Sequence, residues 1–342
     1  MSAAIDVERT RQALASSTLN HGLAMVGDRW TVQVLLGTFL GLKRFEQWQQ
    51  VLGIPRHTLA QRLRKLIDLG LLKPRPYQLK PLRQAYHASA KAMAMYPQVL
   101  MMWAWEKRWG GLQSGLPDAL LHKPCGHLFV PVLTCQACEQ DAEITAMRVQ
   151  LQPTAPTAPS EPARSARPAR TTRLVWRSAT PAGLDHRVDR WNLLIVAAVV
   201  LGCHHFDQLS RALGIGSSTL ARRLQSMVES GLLRTQADRH DGRRRRYTLT
   251  DSSRDLLGYI VCLSRWAGQA HLQQASSIVP IHSCGQPFVA RVACSACRQE
   301  VHAWQVQPQY RSGEPAGAAS SHGRAGATAR RAAAAAVEGS DS

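Results

Sequence analysis

A chain of 342 residues with 45% hydrophobic content is long enough for two domains, each burying its own core. Its formal charge of +19 implies a strongly positive surface whose natural partner is a polyanion, either nucleic acid or an anionic membrane. The longest apolar run, Leu193 to Leu201, is about half the roughly 18–20 residues a membrane helix needs. Met1 to Gln12 is charged and lacks a signal-peptide core, so a cytoplasmic chain with no membrane partner is expected.

In chain order, Trp30 to Leu40 has the apolar density of a buried helix, and Phe45 to Leu52 sets Phe45, Trp48 and Leu52 on one face of a second. Gly53-Ile54-Pro55 breaks the chain. A third helix follows, with Leu59, Leu63 and Leu66 on its packing face and Arg56, His57, Gln61, Arg62 and Lys65 elsewhere on the cylinder. Gly70 ends it. Leu71-Leu72 opens an extended segment that returns at Tyr86, with a basic loop from Lys73 to Arg83 between. A longer helical stretch, Lys91 to Trp109, completes the module.

This plan then repeats. Asp28-Arg29-Trp30 recurs as Asp189-Arg190-Trp191, an offset of 161, and the same offset carries Phe45 to Phe206, Thr58-Leu59 to Thr219-Leu220, Gly70-Leu71-Leu72 to Gly231-Leu232-Leu233, Tyr86 to Tyr247 and Trp105 to Trp266. One offset held over about eighty residues is the mark of duplication. The second copy adds a favoured hairpin turn at Asp241-Gly242, followed by Arg243 to Arg246, and its last helical stretch is Ser253 to Ala270. Six segments result: a first module over 1–112, a Cys-rich element over 113–151, a Pro/Ala/Ser/Arg linker over 152–178, a second module over 179–274, a second Cys-rich element over 275–308 and a tail over 309–342. The linker and tail have the composition of disordered chain.

Two short helices, a tight turn, a basic amphipathic helix and a basic hairpin make a winged helix-turn-helix. The fold class expected is mainly α with small β-hairpin wings (α+β). Residues 56–86 hold eight Lys and Arg against one acidic residue, and residues 217–247 hold eight against three, so most of the net charge falls where duplex DNA would lie. A helix about 10–12 Å wide fits the major groove. The residues expected to enter it are Arg56, His57, Thr58, Gln61 and Arg62 in one module and Ser217, Ser218, Thr219, Arg222 and Arg223 in the other. Lys73, Arg75, Lys80 and Arg83, with Arg243, Arg244, Arg245 and Arg246, are expected to hold phosphates from the wings.

Gly27-Asp28-Arg29-Trp30, Arg44-Phe45, the run from Pro55 to Leu63 and Gly70-Leu71-Leu72, in that order and spacing, resemble the HxlR-type winged-helix regulators of bacteria. The likeness covers roughly Leu19 to Trp109 and, more weakly, Thr180 to Ala270. Such proteins are single modules that bind operators as homodimers through their terminal helices. The resemblance therefore implies a covalent pseudo-dimer in one chain, Lys91 to Trp109 packing near Ser253 to Ala270. Two modules that each pair with another chain, giving further self-association, are the alternative. Arg56 matches Ser217 and Gln61 matches Arg222, so the two half-sites are expected to differ.

Each Cys-rich element carries Cys-Gly, nine intervening residues, then Cys-x-x-Cys: Cys125, Cys135 and Cys138 in the first, Cys284, Cys294 and Cys297 in the second. Cys-x-x-Cys offers two thiolates on one turn, and the third cysteine adds a corner across a short hairpin. His122 and His282, just before the first cysteine, are the candidates for a fourth ligand. A zinc-ribbon-like structural site per element is the expectation, with a redox-sensing thiol cluster or relict cysteines as rivals. Cys203 and Cys262 have no counterpart in the first copy and read as buried filler. Trp30, Trp103, Trp105, Trp191 and Trp266 read as packing residues, and His204-His205 as helix-boundary residues. No nucleophile, base and orienting acid occur together, so the chain is not expected to be an enzyme. The function expected is operator-binding transcriptional regulation on double-stranded DNA, with repression its sense and the effector open. The competing class is a zinc-stabilised adaptor whose DNA binding is incidental.

Overall fold

The structure, a computed structural model, describes residues 6–110, 116–152, 189–238, 244–269 and 276–310. The expected linker beyond Gln152, the tail beyond Tyr310, the Asp241-Gly242 turn and Arg243 lie outside the described residues. Among them no helix is long and apolar enough to cross a membrane.

Two helices precede the first predicted one: α1 (Val7–Ala15), capped by the Asp6 carboxylate, and α2 (Thr18–Val26), capped by the Ser17 hydroxyl. Then come α3 (Arg29–Phe39), α4 (Phe45–Leu52) and α5 (Arg56–Asp68), close to the predicted spans. Gly70 takes φ +69°, a left-handed turn that costs a side-chain-bearing residue strain. There Leu71 N–H reaches back to Leu66 C=O at 2.8 Å, and the chain swings from α5 into the wing.

The wing is a hairpin of β1 (Leu72–Leu79) and β2 (Leu82–Ala88). The expected basic loop from Lys73 to Arg83 is thus almost entirely strand, joined only at Lys80-Pro81. Pro74 and Pro76 are two residues apart, so their missing donors face the same edge, away from β2, and the ladder survives both. The predicted stretch Lys91 to Trp109 is likewise two helices, α6 (Ala90–Met93) and α7 (Tyr96–Trp109), with Pro97 in the first turn of α7, where no helical donor is needed.

A ribbon of short strands follows: β3 (Ala119–His122), β4 (His127–Phe129), β5 (Pro131–Cys135) and β6 (Arg148–Leu151). The second copy repeats the order with α8 (Arg190–Val200), α9 (Phe206–Leu213), α10 (Ser217–Glu229), β7 (Leu233–Ala237), β8 (Arg245–Leu249), α11 (Asp251–Asp255) and α12 (Leu257–Ala267). A second ribbon of β9 (Ile278–Ile281), β10 (Ala290–Cys294) and β11 (Val306–Gln309) completes the described chain.

The copies interlock at two levels. Among the helices, Trp105 of α7 donates its indole N–H to Ser252 C=O at 2.7 Å, and Trp266 of α12 donates to Lys91 C=O at 3.0 Å. Trp105 and Trp266 are repeat equivalents, as are Lys91 and Ser252, so one contact is made twice in opposite senses. Asp255 adds bonds to Arg108 at 3.0 Å and to Trp109 Nε1 at 2.7 Å. The first two helices also reach the second copy: Thr18 and Ser264 hydroxyls meet at 2.6 Å, Arg190 donates to Asn20 Oδ1 at 2.9 Å, and Gly22 lies against Leu263 and Ala267. One buried cluster consequently runs from Leu14 through Trp48 and Trp105 to Leu220 and Trp266.

In the ribbons the copies cross by strand pairing. Strand β5 pairs antiparallel with β10, Leu133 opposite Val292, while β11 pairs with β3 and β6 with β9. Each repeat's last strand therefore completes the other repeat's sheet, and neither Cys-rich element stands alone.

Candidate nucleic-acid interface and metal centres

Helix α5 buries Leu59, Leu63 and Leu66, which leaves Arg56, His57, Gln61 and Arg64 in water and Thr58 half-buried. His57 and Gln61 side chains meet at 3.3 Å, and Arg56 lies over the Phe45 ring at 5.3 Å. Arg64 is not among the residues expected in the groove, although 57, 61 and 64 follow the same i, i+4, i+7 spacing as the leucines, half a turn away. Helix α10 buries Leu220, Leu224 and Met227 and exposes Ser217, Ser218, Arg222 and Gln225, with Thr219 half-buried. Its open face carries one cation where α5 carries two.

Arg62 and Arg223, both expected to enter a groove, each make an ion pair within their module. Arg62 Nε meets Asp28 at 2.8 Å, with Lys65 at 3.5 Å from the same carboxylate, and Arg223 pairs with Asp189. Each aspartate is also the N-cap of its helix, accepting from Thr31 N–H at 3.1 Å and from Asn192 N–H at 2.9 Å. An i+34 spacing in sequence thereby fixes how α5 sits on α3, and α10 on α8. Asp28→Ala removes cap and ion pair together and is expected to cost about 1–2 kcal/mol, read by urea denaturation. Asp28→Asn keeps the cap and should cost less than half as much; equal losses would assign the whole effect to the ion pair.

Lys73, Arg75, Lys80 and Arg83 of the first wing are all exposed. Each wing is tied to its module by one backbone bond, Tyr86 N–H to Lys43 C=O at 2.7 Å and Tyr247 N–H to His204 C=O at 2.8 Å. In the second wing Arg244 is held by Asp207 at 2.6 Å, Arg245 is exposed and Arg246 half-buried. His205 caps α9 and meets Asp238 at 2.6 Å, which places His204-His205 at a helix boundary.

Among the described residues two groups of four side chains could hold a metal ion, and each draws on both repeats: His122 and Cys125 with Cys294 and Cys297, and Cys135 and Cys138 with His282 and Cys284. All six cysteines and both histidines singled out are used, but the grouping differs from the expected one within each element. The cause is the β5–β10 pairing, which runs each Cys-x-x-Cys to the far end of the ladder, beside the other repeat's His and Cys-Gly. In the first group His122 Nδ1 lies 3.3 Å from Cys125 Sγ and 3.4 Å from Cys297 Sγ, and Cys125 and Cys294 sulfurs are 4.0 Å apart. In the second, His282 Nδ1 lies 3.3 Å from Cys284 and 3.4 Å from Cys138. A tetrahedral ion with bonds of about 2.0–2.3 Å spaces its ligands by about 3.3–3.8 Å; the four nitrogen–sulfur distances fit that range, and the Cys125–Cys294 sulfur separation is slightly wider.

The turns are built for this. The residue after each cysteine pair, Glu139 or Arg298, and the glycine after each lone cysteine, Gly126 or Gly285, are left-handed. Glu139 N–H returns to Cys135 C=O at 2.8 Å and Arg298 N–H to Cys294 C=O at 2.9 Å, curling the thiols inward. The backbone N–H of Gln286 and the His282 ring pull the Cys284 thiol down to about 7. Across the crossing, Arg291 pairs with Glu139 and Arg298 with Asp141. Cys203 and Cys262 are buried apart from both groups, and burial pushes their thiols up to about 11 and about 12, which suits packing rather than chemistry.

A family model described as HxlR-like helix-turn-helix matches residues 25–114 and 188–275. An uncharacterized HTH-type transcriptional regulator of Mycobacterium tuberculosis is 35% identical over 136 residues, covering 40% of this chain and 85% of that protein. A protein of the same description from Mycobacterium bovis matches to the same extent. Among solved structures, a proposed transcription factor is 26% identical over 39% of this chain and 93% of its own, with a TM-score of 0.35. Another, from Pseudomonas aeruginosa, is 27% identical over 40% and 94%, with a TM-score of 0.29.

Proposed function

The chain belongs to the HxlR-like helix-turn-helix family of transcriptional regulators, and from that premise we propose that it grips duplex DNA as a covalent pseudo-dimer. The observation that carries this reading is the doubled Trp105–Ser252 and Trp266–Lys91 contact. It supports a fixed relation between α5 and α10, each of which turns its polar face to solvent. Arg56, His57, Thr58, Gln61 and Arg64 are read as contacting one major groove and Ser217, Ser218, Thr219, Arg222 and Gln225 another, about 34–36 Å away, one turn of the duplex. Arg62 and Arg223, engaged by Asp28 and Asp189, are read as positioning residues. Lys73, Arg75, Lys80, Arg83 and Arg245 are read as phosphate contacts.

Footprinting on a duplex selected from random sequence is expected to protect about two turns. Affinity should fall with salt by a log–log slope of about −0.9 per neutralised phosphate. Arg56→Ala should weaken the selected site by about 1–3 kcal/mol if it reads a guanine; a uniform loss over all sequences would move it to the backbone. Equal affinity for selected and random duplexes at physiological salt would favour the adaptor reading.

We read both Cys/His groups as structural zinc centres. Three thiolates and an imidazole form a closed set with no open position, the donor chemistry of a structural rather than catalytic ion. Bound there, zinc would supply cross-linking. The chain's own residues supply the rest: the left-handed turns aim the thiols, and the paired strands hold the two halves in register.

A further inference from the structure

A cavity of about 220 Å³ opens between α3, α7, β3 and β11. Phe39, Tyr96, Val99 and Trp103 wall it from the first module, and Trp304 and Val306 from the second ribbon. Among the described residues no charged side chain lines it. The Thr38 hydroxyl already donates to Val34 C=O and Trp103 Nε1 to Pro117 C=O, both at 2.9 Å. The Tyr96 hydroxyl makes no hydrogen bond among the described residues, and burial holds it well above the usual phenol range. Trp304 stands 64% exposed at the rim, stacked on His302 with ring centres 4.6 Å apart.

An apolar cavity of about 150 Å³ accommodates benzene, so this one has room for about two fused rings. An ion would enter without a counter-charge, at a large desolvation cost. We propose that the cavity binds a small uncharged aromatic molecule, with one polar substituent directed to the Tyr96 hydroxyl and, on the regulator reading above, acting as an effector of operator binding. The wall explains the coupling. Helix α3 carries the Asp28 anchor of α5, while β11 belongs to the other repeat, so a ligand here touches both sides of the crossing.

The full-length protein is titrated with 2-naphthol, a fluorescent uncharged two-ring compound, without DNA. One saturable site per chain is expected, with 2-naphthoate at least tenfold weaker. Val99→Trp from the helix side and Ala303→Phe from the ribbon side should each weaken 2-naphthol at least tenfold, and either variant that keeps the wild-type melting temperature suffices. Tyr96→Phe should weaken 2-naphthol but not naphthalene. Absence of a saturable site, equal affinity for the carboxylate, or full binding in a folded filled variant overturns the site. Saturating 2-naphthol should change affinity for the selected duplex about fivefold or more, and an unchanged affinity overturns the effector role. Failure of the unliganded protein to prefer any duplex would strike the regulator reading alone, since the naphthol titration does not involve DNA.

Discussion

Replacing Cys125 and Cys135 together by Ser is expected to leave a chain that holds no zinc, although both residues lie in one repeat. Cys125 belongs with Cys294 and Cys297, and Cys135 with Cys138 and Cys284, so the pair of substitutions damages both groups. Replacing Cys125 with Cys294, one from each repeat, damages a single group and should leave one ion of two. Centres confined within each repeat would give the opposite outcome, one ion for the first variant and none for the second. Metal analysis of the purified proteins therefore reads the crossing directly. The stability effect should be large, because structural zinc in small domains carries apparent binding free energies of about 10–16 kcal/mol. A strong chelator should lower the melting temperature of the wild type and leave that of the Cys125→Ser/Cys135→Ser variant unmoved.

Trp105→Ala should cost about 3–5 kcal/mol. The side chain is 2% exposed, fills the joint between α7 and α12, and supplies the indole N–H to Ser252 C=O. Trp105→Phe keeps most of the apolar volume and gives up the donor, for which about 1–2 kcal/mol is expected. Trp266→Ala, its repeat equivalent, should behave alike. Urea denaturation measures all three, and a loss below about 1 kcal/mol for Trp105→Ala would show the joint to be incidental to stability. On the regulator reading the same change should lower affinity for a two-turn site more than for a half-site, since the relation between α5 and α10 is what it disturbs.

The helix-turn-helix core was legible because local rules decide it. Leucines spaced at 59, 63 and 66, Gly70 at the helix end and the 161-residue offset each act within a few turns of chain. Helices α1 and α2 fall outside the predicted elements although Asp6 and Ser17 are ordinary caps; their apolar residues, Leu14, Leu19, Leu23 and Val26, join a cluster shared with the second copy, beyond the reach of a local pattern. The ion pair between Asp28 and Arg62 was hidden for a related reason. An arginine on the polar side of a helix looks free until the neighbouring helix brings its cap to it. The ligand residues could be named from spacing, but their grouping could not, because Cys-x-x-Cys says which thiols share a turn and not which loop faces them. Only the antiparallel register of β5 on β10 settles that.

The pairing of β3 with β11 also imposes an order on the birth of the molecule. Val306 lies opposite His122, 184 residues later, and at about 5–20 residues per second a ribosome needs on the order of 10–40 s to bridge that distance. For most of that interval the nascent first half presents an open strand edge and two incomplete thiol clusters, the second lacking its last ligand until Cys284 and the first until Cys297. Such an edge is a template for whichever complementary strand arrives first. Two nascent chains on one message could therefore clasp each other before either is finished, and a gene fusion that keeps both halves on one polypeptide limits that exchange by raising the local concentration of the right partner.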